Sequence, residues 1–336
     1  MNDYSFRHLV NLSDDWGLLE HAKGPRPRFS HGYCTDDNAR MVVVATRDPN
    51  GTRGASILAR LGMRFVLSAQ TPEGRIHNRL SFARIWLDEP TVEDSWGRSL
   101  WAFGTVIARS RDGLLHQRAL GAFESGIRHR SESLRTMAFA ALGAAEVLDV
   151  APAHSGALEL IADAADLILS SERSPEWPWP EPRLTYANAA LPEVVIAAGL
   201  AHHDDSVVHD GLEMLRWLIE TETYQDHFSV TPTNGRGPGD PKPAFDQQPI
   251  ELAAIADAAH RALSATGDHD WIRIVDMAAR WFHGDNDAGV PMIDDITGGG
   301  FDGLHAHGRN LNQGAESTLA MISTLQVHQK MAHLVR

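Results

Sequence analysis

SLRTMAFAALGAAEVLDVAPAHSGALELIADAADLIL, residues 133–169, holds two helices of different character joined by almost nothing. The first, predicted over 132–149, carries Ala138, Ala140, Ala141, Gly143, Ala144 and Ala145 on several of its sides. A helix apolar all round is a buried helix, and side chains this small let its neighbours crowd about a shared axis. The second, predicted over 152–171, is amphipathic, with one face for a core and one for water. Only Ala151 separates the two, so the chain reverses at once and lays an outer helix against an inner one.

The same alternation runs outward in both directions. Apolar residues recur at three and four rather than at two, so strands are nearly absent from the reading. Helices are predicted near 3–12, 36–48, 52–70, 94–110, 113–127, 132–149, 152–171, 187–203, 205–222, 246–265, 269–285 and 312–333. Those starting near 132, 187, 246 and 312 are rich in small residues, and those starting near 52, 152, 205 and 269 are amphipathic. In 205–222, Val208, Leu212, Leu215 and Ile219 form one stripe, while Glu213 and Arg216 lie off it. Inner-to-outer links are short. Outer-to-inner links are long (13–35, 71–93, 172–186, 223–245 and 286–311), with 128–131 the brief exception. In a ring that alternates inner and outer helices, all the long links emerge on one face, where function concentrates. No linker divides the chain, which reads as one domain over residues 1–336.

Composition excludes several classes. A formal charge of −14 without a Lys/Arg run argues against a nucleic-acid partner. No stretch approaches the ~18 apolar residues of a membrane span, so no membrane partner is expected. A single cysteine, Cys34, suits a reducing compartment, and MNDYSFRHLV lacks the pattern of a secretion signal, so a cytoplasmic location is expected. Nucleotide and dinucleotide fingerprints and the GxSxG elbow are missing, and no cofactor is expected. His305 and His307 have a metal-capable spacing without an evident third ligand, and DNDAG (285–289) lacks a calcium loop's full donor set, so no metal is expected either.

Each inner helix opens on a polar signature: TDDNAR (35–40), EDSWGR (93–98), SESLR (131–135), LTYANAALPE (184–193), FDQQPIE (245–251) and NQGAES (312–317). Together with GYCTDDNAR, EDSWGRSLWAFG, TGGGFDGL and NQGAESTLA, this arrangement resembles the six-hairpin (α/α)6 toroids. These include glycosidases, polysaccharide lyases and N-acylglucosamine 2-epimerase-like enzymes. More narrowly it is similar to a bacterial glycosidase-like group found fused to, or encoded near, glycosyltransferases. The resemblance implies an all-α toroid of six inner and six outer helices with a carbohydrate site on one face. Its ligand would be a small sugar or an oligosaccharide.

Asp36 and Asp37 open the first inner helix. One acid suffices to satisfy its free N–H groups, so the second, following Tyr33, is a candidate for hydroxyl binding or acid/base work. Glu93 is expected to hang in the mouth beside a capping Asp94, with Trp96 offering a face to a sugar ring and Arg98 forking onto oxygens. Glu132 follows the shortest loop. Trp177 and Trp179, stiffened by prolines, form either a lid on the barrel or a sugar platform, with at least one expected as a platform. Tyr186 adds a polar contact. Asp246, Gln247 and Gln248 open the fifth inner helix, where Asp246 reads first as a cap and is also a candidate for substrate binding, and the two amides suit a hydroxyl-rich ligand. Between glycines 298–303 sit Phe301 and Asp302, followed by His305, Asn312 and Glu316.

A glycoside hydrolase is the first expectation. It would use two carboxyl groups with inversion, one from Asp37 or Glu93 and one from Asp302 or Glu316, facing each other across the pore. A sugar epimerase or isomerase is the alternative. It would draw a pair of histidines from His21, His31, His227, His305 and His307. A noncatalytic glycan-binding domain is the third.

Overall fold

The computed structural model describes residues 4–332. Among them are twelve α-helices: α1 (Arg7–Asn11), α2 (Thr35–Thr46), α3 (Arg53–Ala69), α4 (Asp94–Arg109), α5 (Gly113–Gly126), α6 (Leu134–Val150), α7 (Ser155–Leu169), α8 (Ala190–His202), α9 (Asp205–Glu222), α10 (Ile250–Thr266), α11 (Asp270–Phe282) and α12 (Ala315–Ala332). The inner helices α2, α4, α6, α8, α10 and α12 pack in that order, and α12 returns to α2. α3, α5, α7, α9 and α11 each lie outside the inner helix that precedes them, and the short α1 touches α12 and α3. This is the (α/α)6 toroid.

Small residues do what their size allows. A Cβ on Gly104 would stand 2.1 Å from the Gly143 carbonyl oxygen, and one on Gly143 would stand 2.3 Å from that of Leu100, so α4 and α6 touch backbone to backbone. On α9, Leu212, Leu215 and Leu218 are buried. Glu213 and Arg216 pair in solvent at 2.7 Å, as an outer helix requires.

Several helices start later than their sequence suggests. α8 begins at Ala190, α10 at Ile250 and α12 at Ala315, because the polar residues ahead of them tie loops together instead of extending the helix. Asn188 donates to Glu251, Gln247 donates to Asp287 at 2.5 Å, and Asn312 accepts from the Gly24 amide at 3.0 Å. The expected 3–12 helix contracts to Arg7–Asn11, and residues 3 and 333 of the expected first and last helices lie outside the described residues. The long links carry five two-stranded antiparallel ribbons that stiffen the functional face. One, β1 (Ala22–Lys23) with β2 (Arg26–Pro27), lies within the first long link; another pairs β3 (Tyr33–Cys34) with β4 (Arg79–Leu80), joining the first long link to the second.

At the opposite end the inner helices are sealed by buried charge. Arg47 bonds Asp257 at 2.9 Å and lies 3.3 Å from Glu146, which also accepts from Arg109 at 2.8 Å. Arg261 stands 3.6 Å from Glu193.

Candidate functional site

A cleft of about 410 Å³ opens where the long links gather. Its walls come from the first link (Glu20, His21, Cys34), α2 (Asp36, Asp37, Arg40), β4 (Arg79), α4 (Asp94, Arg98), Tyr186, Gln248, Asp302 and the segment 314–317. With the link before α10 running on to Pro249, every outer-to-inner link contributes except the brief one before α6. Six carboxylates and three arginines line it.

α2 is turned so that Asp37 and Arg40, three residues apart, share the pore-facing side. Arg40 donates to Asp37 at 2.7 Å and, from its other terminal nitrogen, to Glu316 on α12 at 2.7 Å. First and last inner helices are neighbours in a closed ring. Asp37 and Glu316 therefore stand side by side on one guanidinium rather than across the pore. Their environments nevertheless differ. Asp37 is buried, which pushes its carboxyl up to about 7 against the pull of Arg40, with Glu316 adding to the rise. The Glu316 side chain is 46% exposed to the cleft. Desolvation raises its carboxyl, but Arg40 more than offsets this and holds it below the usual range. One acid thus keeps a proton near neutrality beside one that does not.

Asp302 is positioned by the start of α12. Its Oδ1 accepts from the Gly314 amide and the Ser317 hydroxyl, both at 2.6 Å, while Oδ2 makes no hydrogen bond among the described residues. Asp94 accepts from Thr136 at 2.7 Å and from the Tyr186 hydroxyl. Asp36 stands 3.5 Å from Arg98. Glu20 pairs with Arg79, and His21 reaches the cleft with its ring edge-on to His31, centroids 4.8 Å apart.

Of the residues singled out from sequence, Asp36, Asp37, Asp94, Arg98, Tyr186, Gln248, Asp302 and Glu316 meet in this cleft. The others do not line it. Glu93 supplies only the backbone of the α4 cap, and its side chain is exposed outside the cleft; Asp94, one residue on, takes the inward place. Trp96 is fully buried and donates to the Gly126 carbonyl. Tyr33 is buried and donates to Asp14 at 2.5 Å. Trp177 and Trp179 pack on Trp217 of α9, with centroids 5.0 and 5.7 Å away, and so close the barrel wall rather than offer a platform. Glu132 is exposed ahead of α6, whose cap is Ser133. Gln247 is buried in loop contacts, Asn312 tethers Gly24, and Phe301 lies under Arg309. Asp246 sits 3.5 Å from His305 beside the cleft rather than capping α10, which starts after Pro249.

Sequence reasoning passed over Glu20, Arg40 and Arg79, and had His21 only as one of five loop histidines for an epimerase. Arg40 had a signal in its i,i+3 spacing from Asp37; the Glu20–Arg79 pair joins two separate loops and had none. Glu20, Cys34 and Asp37 bring one ligand atom each within 4.8 Å of one another, the one group among the described residues that could hold a metal ion. Arg40 and Arg79 stand against it, and burial pushes the Cys34 thiol well above its ordinary range, so the donor set is poor for a cation.

The sequence matches no family model and no curated protein. Solved structures share the fold across nearly the whole chain. A sugar epimerase from a ruminal bacterium is 10% identical, with a TM-score of 0.74 over 98% of this chain and 96% of that one. Cellobiose 2-epimerase from Spirochaeta thermophila is 10% identical, with a TM-score of 0.73 over 99% and 95%. A C. cellulolyticum cellulase in complex with cellobiose is 9% identical, with a TM-score of 0.66 over 94% and 88%. At such identities the likeness establishes the toroid and leaves the chemistry to the site.

Proposed function

We propose that the chain is a glycoside hydrolase acting on a small glycoside or oligosaccharide. The observation that carries this is the split pair on Arg40: Asp37 raised to about 7 beside a Glu316 held ionised. Asp37 would protonate the leaving oxygen. Asp302, anchored through one oxygen and open at the other, would activate water on the opposite face of the ring, as inversion requires. Glu316 keeps Arg40 in place and sharpens the rise at Asp37. The acids are not locked into a closed network of arginines, since Asp94 and Asp302 are held by hydroxyl and amide donors; this favours catalysis over passive binding.

A second reading is sugar epimerisation or isomerisation, favoured by His21 in the cleft and by the epimerases and a D-mannose isomerase among the solved structures of this fold. Of the five loop histidines only His21 lines the cleft, so a two-histidine exchange lacks its partner. The test is a panel of aryl glycosides and cello-oligosaccharides assayed for released sugar, beside cellobiose and mannose assayed for isomerised product. Hydrolysis that disappears in Asp37→Asn supports the first reading. Isomerisation that survives in Asp37→Asn and disappears in His21→Ala replaces it with the second.

A further inference from the structure

Arg98 is 4% exposed, yet it makes no hydrogen bond within the described protein. Its guanidinium lies 3.8 Å over the Phe139 ring, which fixes its plane; among the described residues Asp36, at 3.5 Å, is the one acid within ion-pair distance, with Asp94 and Glu316 acting from farther off. Burial and the neighbouring Arg40 both push it below its ordinary value, so its charge is held at a cost. Five N–H donors in a fixed fork, buried and unclaimed, need acceptors from outside the chain. Arg98 lines the cleft, and so does Asp36, whose Oδ2 has only the weak Cys34 thiol at 3.5 Å. The pair therefore offers donors and an acceptor next to each other.

Below this pair the pore closes. Arg40 and Arg98 also line a second cavity, of only about 50 Å³, walled by Trp101, Phe139, Leu142 and Ile250. One water needs roughly 10–15 Å³ of such space, so this cavity takes a few waters, and the room narrows sharply from the 410 Å³ of the cleft above it. The charged seal formed by Arg47, Asp257 and Glu146 lies at the far end of the same helices. Whatever reaches Arg98 is at the blind end of the cleft.

We propose that Arg98 and Asp36 form a seat for two adjacent hydroxyls of a neutral terminal sugar. A hydroxyl both donates and accepts, matching a couple that does both. A carboxylate or phosphate only accepts; it would meet Asp36 at the seat and six carboxylates against three arginines in the cleft. The seat rests on the sugar-enzyme reading above and adds that the substrate is uncharged and gripped by its end, so cleavage releases terminal units.

Thermal-shift titrations with glucose, mannose, cellobiose, glucuronate and glucose 6-phosphate test it on wild type and on Arg98→Met. At least one neutral sugar should raise the melting temperature while the two anions do not, and Arg98→Met should bind that sugar about 10- to 100-fold more weakly. Arg98→Lys, which keeps charge without the fork, should fall between. The unliganded double variant Arg98→Met/Asp36→Asn, which removes both members of the pair, should melt no lower than wild type, because no buried charge is left without its partner. An equal or larger shift with an anion, a neutral-sugar shift retained in Arg98→Met, no shift with any probe, or a collapse of the double variant's unliganded stability overturns the seat. Arg98-dependent sugar binding without any hydrolysis removes the hydrolase and keeps the seat; hydrolysis indifferent to Arg98 does the reverse.

Discussion

The two ends of the pore use the same residue types to opposite ends. At the sealed end Arg47, Arg109 and Arg261 stand against Glu146, Asp257 and Glu193, and all three acids are buried. At the open end, among the described residues, Arg98 makes no hydrogen bond, one oxygen of Asp302 accepts none and Glu316 is half exposed, while Arg40 still bridges Asp37 and Glu316. Buried pairs broken on one side are strongly destabilising. Groups left unpaired at a cleft cost stability unless a ligand completes them. Both ends hold ion pairs; what marks the site is hydrogen-bonding capacity left open to the cleft, on Arg98, Asp302 and Glu316.

The largest effect expected from that contrast is catalytic. Asp302→Asn keeps shape and the contact with the α12 start but removes the ionisable group, so turnover should fall about 10²–10⁴-fold with unfolding little changed. Glycoside turnover and denaturant unfolding on one preparation check both halves. At the sealed end the pattern reverses. Glu146→Gln takes away the acid that pairs with Arg109 and one of the two acids on Arg47, which keeps Asp257, and should cost about 3 kcal/mol of stability, with kcat/KM unchanged in the protein that remains folded. A sealed-end variant that keeps its stability and loses activity would collapse the distinction between the two ends.

Trp179→Ala belongs with the scaffold despite its place in a long loop. The side chain is 1% exposed, and its removal should cost about 3–5 kcal/mol with sugar affinity unaltered, measured by unfolding and by titration. Smaller still is Tyr186→Phe, which takes one hydrogen bond from Asp94 and should raise KM by about 2- to 10-fold.

The alternation that produced the ring was plain in the sequence because it rests on local properties: residue size, amphipathic period and link length. The Gly143 and Gly104 contact is the direct product of the small-residue pattern. Which polar side chain faces inward was legible only where a short spacing fixed it. Asp36 and Asp37 were found, but Glu93 and Asp94 were assigned the wrong way round, since one residue at a helix start turns a side chain by about 100°. Trp177 and Trp179 misled because their partner, Trp217, lies on another helix. The roles of Glu20, His21 and Arg79 arise from two loops meeting in a ribbon, and no local pattern carries that.

Asp37 bears the most direct test. Its raised carboxyl predicts that kcat/KM falls as pH rises through about 7, when the acid loses its proton. The same shift binds a proton more tightly in the folded than in the unfolded chain. Its stabilising contribution is therefore full below the ordinary carboxylate range and is lost as pH climbs toward about 7. Asp37→Asn has no such loss. Glu193 and Glu251, raised to about 7 and about 8, act in the same direction in both proteins and cancel in the difference. Turnover and unfolding free energy should be measured together for wild type and Asp37→Asn from pH 4 to 9. The account predicts a variant at least 100-fold slower at pH 6 whose stability gains on wild type as pH rises. A variant with wild-type turnover and a parallel stability curve would contradict it.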